Sequence, residues 1–257
     1  MSMMTDLKMA LDPVYFAREA LHFSPFPAQE LILRSQSDRL LLNCTRQFGK
    51  TTCVSILALH YALFHPDALI LIIAKAERQA QELLRKVRDQ GLLVPDVKYI
   101  NESRTHLELQ NNSRVISLPS SSSGIRGFSA PDLICADEAA RIDNEMFIAI
   151  KPMLALGGSF YMLSTPAGKR GYFYTCWKED ASWEKHKVTI YDHPLVKPEF
   201  IEREKREMKR FFQSEYMCEF IDLEDATFNA DAVQRLFTRD IKPLFTESLV
   251  SKEVKAL

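Results

Sequence analysis

Two spacings of apolar residues alternate along this chain. The short apolar run "RLLLNC" (39–44) predicts a buried strand, and "KTTCVSILALHYALFH" after it has the spacing and length of a buried helix. "ALILIIAKA" (68–76) predicts a second buried strand, followed by "ERQAQELLRKVRDQGL", whose charges recur at helical spacing up to Gly91. Strand, helix, strand, helix implies a parallel sheet. "THLELQNNSRVISLP" reads as two alternating strands around Asn111-Asn112, an antiparallel hairpin added to that sheet. "LICADEAA" (133–140) and "SFYMLSTP" (159–166) predict two more buried strands, "NEMFIAIKPMLA" a helix, and "WEKHKVTIY" an edge strand. "KPEFIEREKREMKRFFQSEYMCEF" predicts one long charged helix. Ahead of all this, prolines punctuate two helices in "DPVYFAREALHF" and "SPFPAQELILRS". The expected organisation is a helical lead-in over 1–37, an α/β core over 38–220 and a linker or tail over 221–257.

Composition adds exclusions. Of 257 residues, 46% are hydrophobic and 26% charged, which suits a folded globular chain. Lys and Arg number 33 against 34 Asp and Glu, so no global basic field exists for gripping nucleic acid, and any DNA contact must be local. The five cysteines are far apart and mostly in apolar company, as reduced core residues are. The six histidines form no H-E-x-x-H motif and no zinc-finger pattern with paired cysteines. No apolar run approaches the roughly 18 residues needed to cross a bilayer, and the amino terminus does not read as a signal peptide, so no membrane partner and a cytoplasmic location are expected.

The chemistry starts at "CTRQFGKTT" (44–52). A phosphate-binding loop presents backbone N–H groups at a helix amino terminus, a lysine for the β and γ phosphates, and a hydroxyl for Mg²⁺. Gly49, Lys50, Thr51 and Thr52 fit, but Cys44 stands where the general pattern has glycine. In "LICADEAA", Asp137 and Glu138 end a buried strand, where open α/β sheets bind their ligands. Asp137 is placed to order hydrated magnesium and Glu138 to orient or deprotonate the attacking water; a helix-capping pair is the bland alternative. "LSTP" (163–166) ends a neighbouring strand, and Ser164 or Thr165 there is a candidate γ-phosphate sensor.

These motifs, in this order, resemble the large subunit of tailed-phage and herpesvirus-type terminases, the ATP-driven DNA packaging motors. "TRQFGKTT" is similar to their variant phosphate loop, which has Arg-Gln before Gly-Lys and often lacks the leading glycine. "GIRGFSAPDLICADEAA" resembles their arginine-glycine loop joined to the D-E-A strand, "LSTPAGKRGYFY" their coupling motif, and "FFQSEYMCEFIDLEDATF" the segment closing the ATPase part. The resemblance covers roughly residues 20 to 228.

It implies an additional-strand P-loop NTPase, a mostly parallel sheet flanked by helices with a small antiparallel hairpin. The implied cofactors are ATP and Mg²⁺. Gln29, otherwise a polar position on a helix, becomes an adenine contact, and Arg46, Gln47, Gly49, Lys50, Thr51 and Thr52 the phosphate loop. Arg126, otherwise a solvated loop residue, becomes an arginine finger offered across a subunit interface, with Arg46 its competitor in cis. The implied partners are double-stranded DNA, a homo-oligomeric ring, pentameric in the family, the portal protein and the small terminase subunit, inside an infected bacterial cell. Large terminases continue into an RNase H-like nuclease; here Asp222, Glu224 and Asp225 read as solvated linker, so no nuclease is expected of this chain and any cutting falls to a separate or missing nuclease domain. Two other readings stay open: a superfamily-two helicase-like DNA-dependent ATPase, which needs a second core not seen in the sequence, and an ATP-binding assembly module with little turnover.

Overall fold

The computed structural model describes residues 3–121 and 123–221. The chain divides into two units, Met1–Ile221 and Asp222–Leu257, and the second lies outside the described residues, as do Asp222, Glu224 and Asp225.

Eight strands form one sheet. In chain order they are β1 (Arg39–Cys44), β2 (Leu69–Ala74), β3 (Tyr99–Glu102), β4 (His106–Leu109), β5 (Arg114–Pro119), β6 (Leu133–Asp137), β7 (Ser159–Ser164) and β8 (Glu184–Val188). The spatial order is β3-β4-β5-β2-β6-β7-β1-β8. From β5 to β8 every neighbouring pair is parallel, while β3-β4 and β4-β5 are antiparallel. The expected parallel sheet with its hairpin is therefore observed, with Asn112 supplying a left-handed turn residue at φ 64°. "WEKHKVTIY" contributes the edge strand β8, as its alternation suggested.

The central strands are apolar throughout because both faces are covered. Successive side chains point to opposite faces, so Leu40, Leu42 and Cys44 join one core with Ile70, Ile72 and Cys135, while Leu41 joins the other with Leu71, Ile73, Ile134 and Ala136. The first face carries α2 (Pro13–Glu19), α3 (Pro27–Leu33), α4 (Lys50–Phe64) and α5 (Glu77–Gly91); α6 (Asn144–Ile150) and α7 (Gly171–Glu179) cover the second. Helix α4 is buried on nearly all sides, whereas α5 buries only the stripe Ala80, Leu83, Leu84, Val87 and Gly91. The lead-in also holds α1 (Met3–Leu11). After it Asp12 caps α2, accepting from Val14 N at 2.9 Å, with Pro13 opening the helix.

One expected element is corrected. The single helix over 197–220 is two, α8 (Pro198–Met208) and α9 (Arg210–Glu215), broken at Lys209, whose φ of 44° and ψ of −111° cannot continue a helix. The break turns Phe212 inward beside Ile190 and Ile201 in a small third cluster. Three further elements carry no strong sequence pattern: α1, whose Met3, Met4, Leu7 and Leu11 are exposed; β3, which is largely exposed; and α7. No helix among the described residues is long and apolar enough to cross a membrane.

Candidate functional site

Strand β7 lies between β6 and β1, so three carboxyl strand ends stand side by side. From β1 the chain enters the loop 45–49, from β6 it reaches Asp137-Glu138, and from β7 Ser164-Thr165. Register fixes their heights: Asn43 faces Ser164 and Asp137 faces Leu163.

The loop is shaped by two left-handed residues, Gln47 at φ 58° and Gly49 at φ 85°. Alternation of this kind turns successive N–H groups toward one concavity at the start of α4. Gly49 is required twice over: its φ is costly for other residues, and a Cβ there would lie 2.8 Å from Gln29 Nε2. Phe48 is fully buried and anchors the loop. Gln29 is also buried; its Nε2 donates to Phe48 O at 2.8 Å and its Oε1 accepts from Phe26 N at 3.0 Å. Gln29 thus holds the loop to the lead-in, with one N–H and one lone pair left over. Cys44 lies below the loop as the last residue of β1, wholly buried, and desolvation pushes its thiol pKa up. It is a core residue of the strand, and Gln47 and Gly49 supply the turn.

Lys50 begins α4 and is 7% exposed, with Thr51 and Thr52 half-buried behind it. Its Nζ stands 3.8 Å from Glu138 Oε1. Asp137 is also 7% exposed, and burial is the main cause that pushes its carboxyl up to about 6, reinforced by the charge of Glu138 and opposed by Lys50 and by the hydrogen bond from Glu138 N at 2.9 Å. Glu138 itself has left-handed backbone, φ 50° and ψ 41°, strain of a kind that gathers at functional sites. Its Oε2 is 2.7 Å from Arg141 Nη1, and Ser164 Oγ, which donates to Thr165 O at 2.7 Å, lies 3.5 Å from the same oxygen. Ser164 and Thr165 are buried at the end of β7.

Two participants were not foreseen. Arg141 follows Glu138 by three residues in a 3₁₀ turn, and Glu215 ends α9. Glu215 Oε2 takes Arg46 Nε at 2.6 Å, its Oε1 lies 3.5 Å from Arg141 Nη2, and its carbonyl accepts from Arg46 N at 3.3 Å. The letters "DEAAR" carried a signal for Arg141, since i and i+3 align in a 3₁₀ turn. Glu215 carried none, being one of several alternating charges.

One candidate is not brought to this cluster. Arg126 sits in the loop after β5, exposed and without an ion pair to any described residue. That loop joins β5 to β6, and Arg126 lines a surface recess with Asp143, Glu145 and Met146.

A model of the family "Terminase large subunit, T4likevirus-type, N-terminal" matches residues 41–235. Among solved structures, the large terminase ATPase domain of Thermus phage P74-26 superposes with a TM-score of 0.70 at 22% identity, over 82% of this chain and 100% of that one. The large terminase of bacteriophage HK97 gives 0.68 at 16%, over 82% of this chain and 55% of that one. That of the thermophilic bacteriophage D6E gives 0.61 at 15%, over 87% and 56%; structures of the D6E protein with ADP and with ATP-γ-S give 0.57 and 0.56 at 14%. The chain thus spans the whole of the first and about half the length of the other two. At such identities the likeness is one of fold.

Proposed function

Because the chain belongs to the family of terminase large subunits, T4likevirus-type, N-terminal, we propose that its core hydrolyses ATP to drive double-stranded DNA into a viral procapsid. The observation that carries this reading is the meeting of Lys50, Asp137-Glu138 and Ser164-Thr165 at three adjacent strand ends, with Lys50 Nζ 3.8 Å from Glu138 Oε1. Nucleotide binding is consistent with the ADP and ATP-γ-S complexes of the D6E protein, which shares this fold.

In this reading the N–H groups of the loop 45–49 and the first turn of α4 receive the phosphates, and Lys50 neutralises the β and γ oxygens. Glu138 Oε1, the oxygen not held by Arg141, takes the proton of the attacking water as the γ-phosphorus–oxygen bond to ADP breaks. Ser164 and Thr165 report the γ-phosphate to β7. Gln29, already bound to Phe48 O, sets the loop against the adenine side. Thr51 and Asp137 suit a hard cation: a hydroxyl, and a carboxylate whose pKa burial and the charge of Glu138 raise. Mg²⁺ held there would neutralise charge on the phosphate oxygens.

Arg126 is the trans arginine finger. Its exposure favours that role, whereas Arg46 is engaged by Glu215. A finger in trans requires a ring of subunits, and the portal and small subunit are its family partners. The testing experiment is steady-state ATP turnover against protein concentration. Turnover that rises steeply with concentration and is lost in both Glu138→Gln and Arg126→Ala supports the assembled motor. Near-normal turnover in Glu138→Gln overturns the catalytic assignment, and a concentration-independent rate surviving Arg126→Ala moves the finger to Arg46.

A further inference from the structure

We infer that Arg141 is a positioning residue for Glu138, holding one carboxylate oxygen so that the other is left to meet the water. The inference rests on the ATPase reading above. Glu138 leaves the sheet at a strained left-handed residue, and its side chain is 25% exposed, with a cation near each carboxylate oxygen. Arg141 Nη1 holds Oε2 at 2.7 Å, whereas Lys50 Nζ, 3.8 Å from Oε1, is beyond hydrogen-bond reach of the other oxygen and turns to the phosphates in the reading above.

The same guanidinium is itself immobilised. Nη1 also donates to Thr165 Oγ1 at 3.1 Å and lies 3.4 Å from Thr165 O, and Nη2 stands 3.5 Å from Glu215 Oε1. One planar group therefore touches the end of β6, the end of β7 and α9. The chemistry needs this shape. A lysine is a point charge that could satisfy Glu138 or Thr165 but has no rigid fork to set the angle between them. Displacing a base by about 1 Å costs on the order of a hundredfold in rate. Because Arg141 is 34% exposed, its ion pairs contribute little to folding, so its effect falls on turnover. Movement of Thr165 with β7 carries Arg141, and with it the angle of Glu138, which links the state of that strand end to the readiness of the base.

The test measures kcat, KM and affinity for a fluorescent ATP analogue in native chain, Arg141→Ala, Arg141→Lys and Thr165→Val. For Arg141→Ala we expect kcat to fall about a hundredfold, with analogue affinity changed by less than about threefold. Millimolar guanidinium should restore part of the rate in Arg141→Ala and none in Glu138→Gln; Arg141→Lys should recover only partly. Thr165→Val keeps the side-chain shape and should show a smaller loss confined to kcat, which keeps the idea testable if Arg141→Ala folds poorly. Unchanged kcat in Arg141→Ala, or a loss seen in affinity alone, overturns the inference while leaving the ATPase reading intact. A native chain without turnover under assembling conditions overturns that reading and this inference with it.

Discussion

Oε2 of Glu215 lies 2.6 Å from Nε of Arg46, joining the last described helix to the loop after β1 across 169 positions of sequence. The pair looks strong on geometry alone, yet Arg46 is 60% exposed and water screens it. Glu215→Gln should therefore lower stability by only about 1 kcal/mol or less. Urea unfolding checks this, and a loss of several kcal/mol would mean that the contact is dry.

Asp137 should reveal a conflict between folding and function. Its carboxyl is pushed up to about 6, so the folded chain holds that proton more tightly than the unfolded chain. The sign follows: the cost of the charge is absent below the ordinary aspartate value and complete above about 6. Asp137→Asn should then stabilise the chain by on the order of 1–3 kcal/mol at about pH 8, with a smaller gain at about pH 5. Denaturation midpoints at the two pH values decide it; an equal gain at both would sink the explanation.

Gln29 bonds the backbone at both ends, and Phe48 beneath it is wholly buried. Gln29→Ala should cost about 1–3 kcal/mol by leaving Phe48 O without its partner. It should also loosen the loop and weaken binding of an ATP analogue, as calorimetry would record. Full stability with weakened binding would instead favour a pure adenine contact.

Lys209 holds a φ of 44° and a ψ of −111° between α8 and α9. Such backbone costs a side-chain-bearing residue about 1–3 kcal/mol, so Lys209→Gly should stabilise the chain by about 1 kcal/mol after glycine's greater unfolded-state entropy is subtracted. Thermal unfolding of the variant tests this. A lower melting temperature would show that Lys209 makes compensating contacts.

Local pattern made the sheet legible because each central strand is buried on both faces and announces itself as an apolar run. The three strand ends proposed as the site were picked out for the same reason: Lys50, Glu138 and Ser164 each close or follow such a run. Elements that bury little, β3 above all, gave no pattern to read. Lys209 looked like helix because a backbone break leaves no mark in a charge repeat. Glu215 was invisible for a different reason. Its place in the cluster comes from meeting Arg46 and Arg141, and no local period encodes a meeting across that span. Arg141 was legible in principle, but only once Glu138 is known to open a 3₁₀ turn.

Cys44 and Cys53 are both fully buried, one under each end of the phosphate loop, and desolvation drives both thiols up, Cys53 to about 12. Both sulfurs lie in the apolar core that β1 and α4 share, so a thiol reagent must wait for that core to open. Alkylation at these two positions is thus a native clock, its rate counting openings of the core beneath the loop.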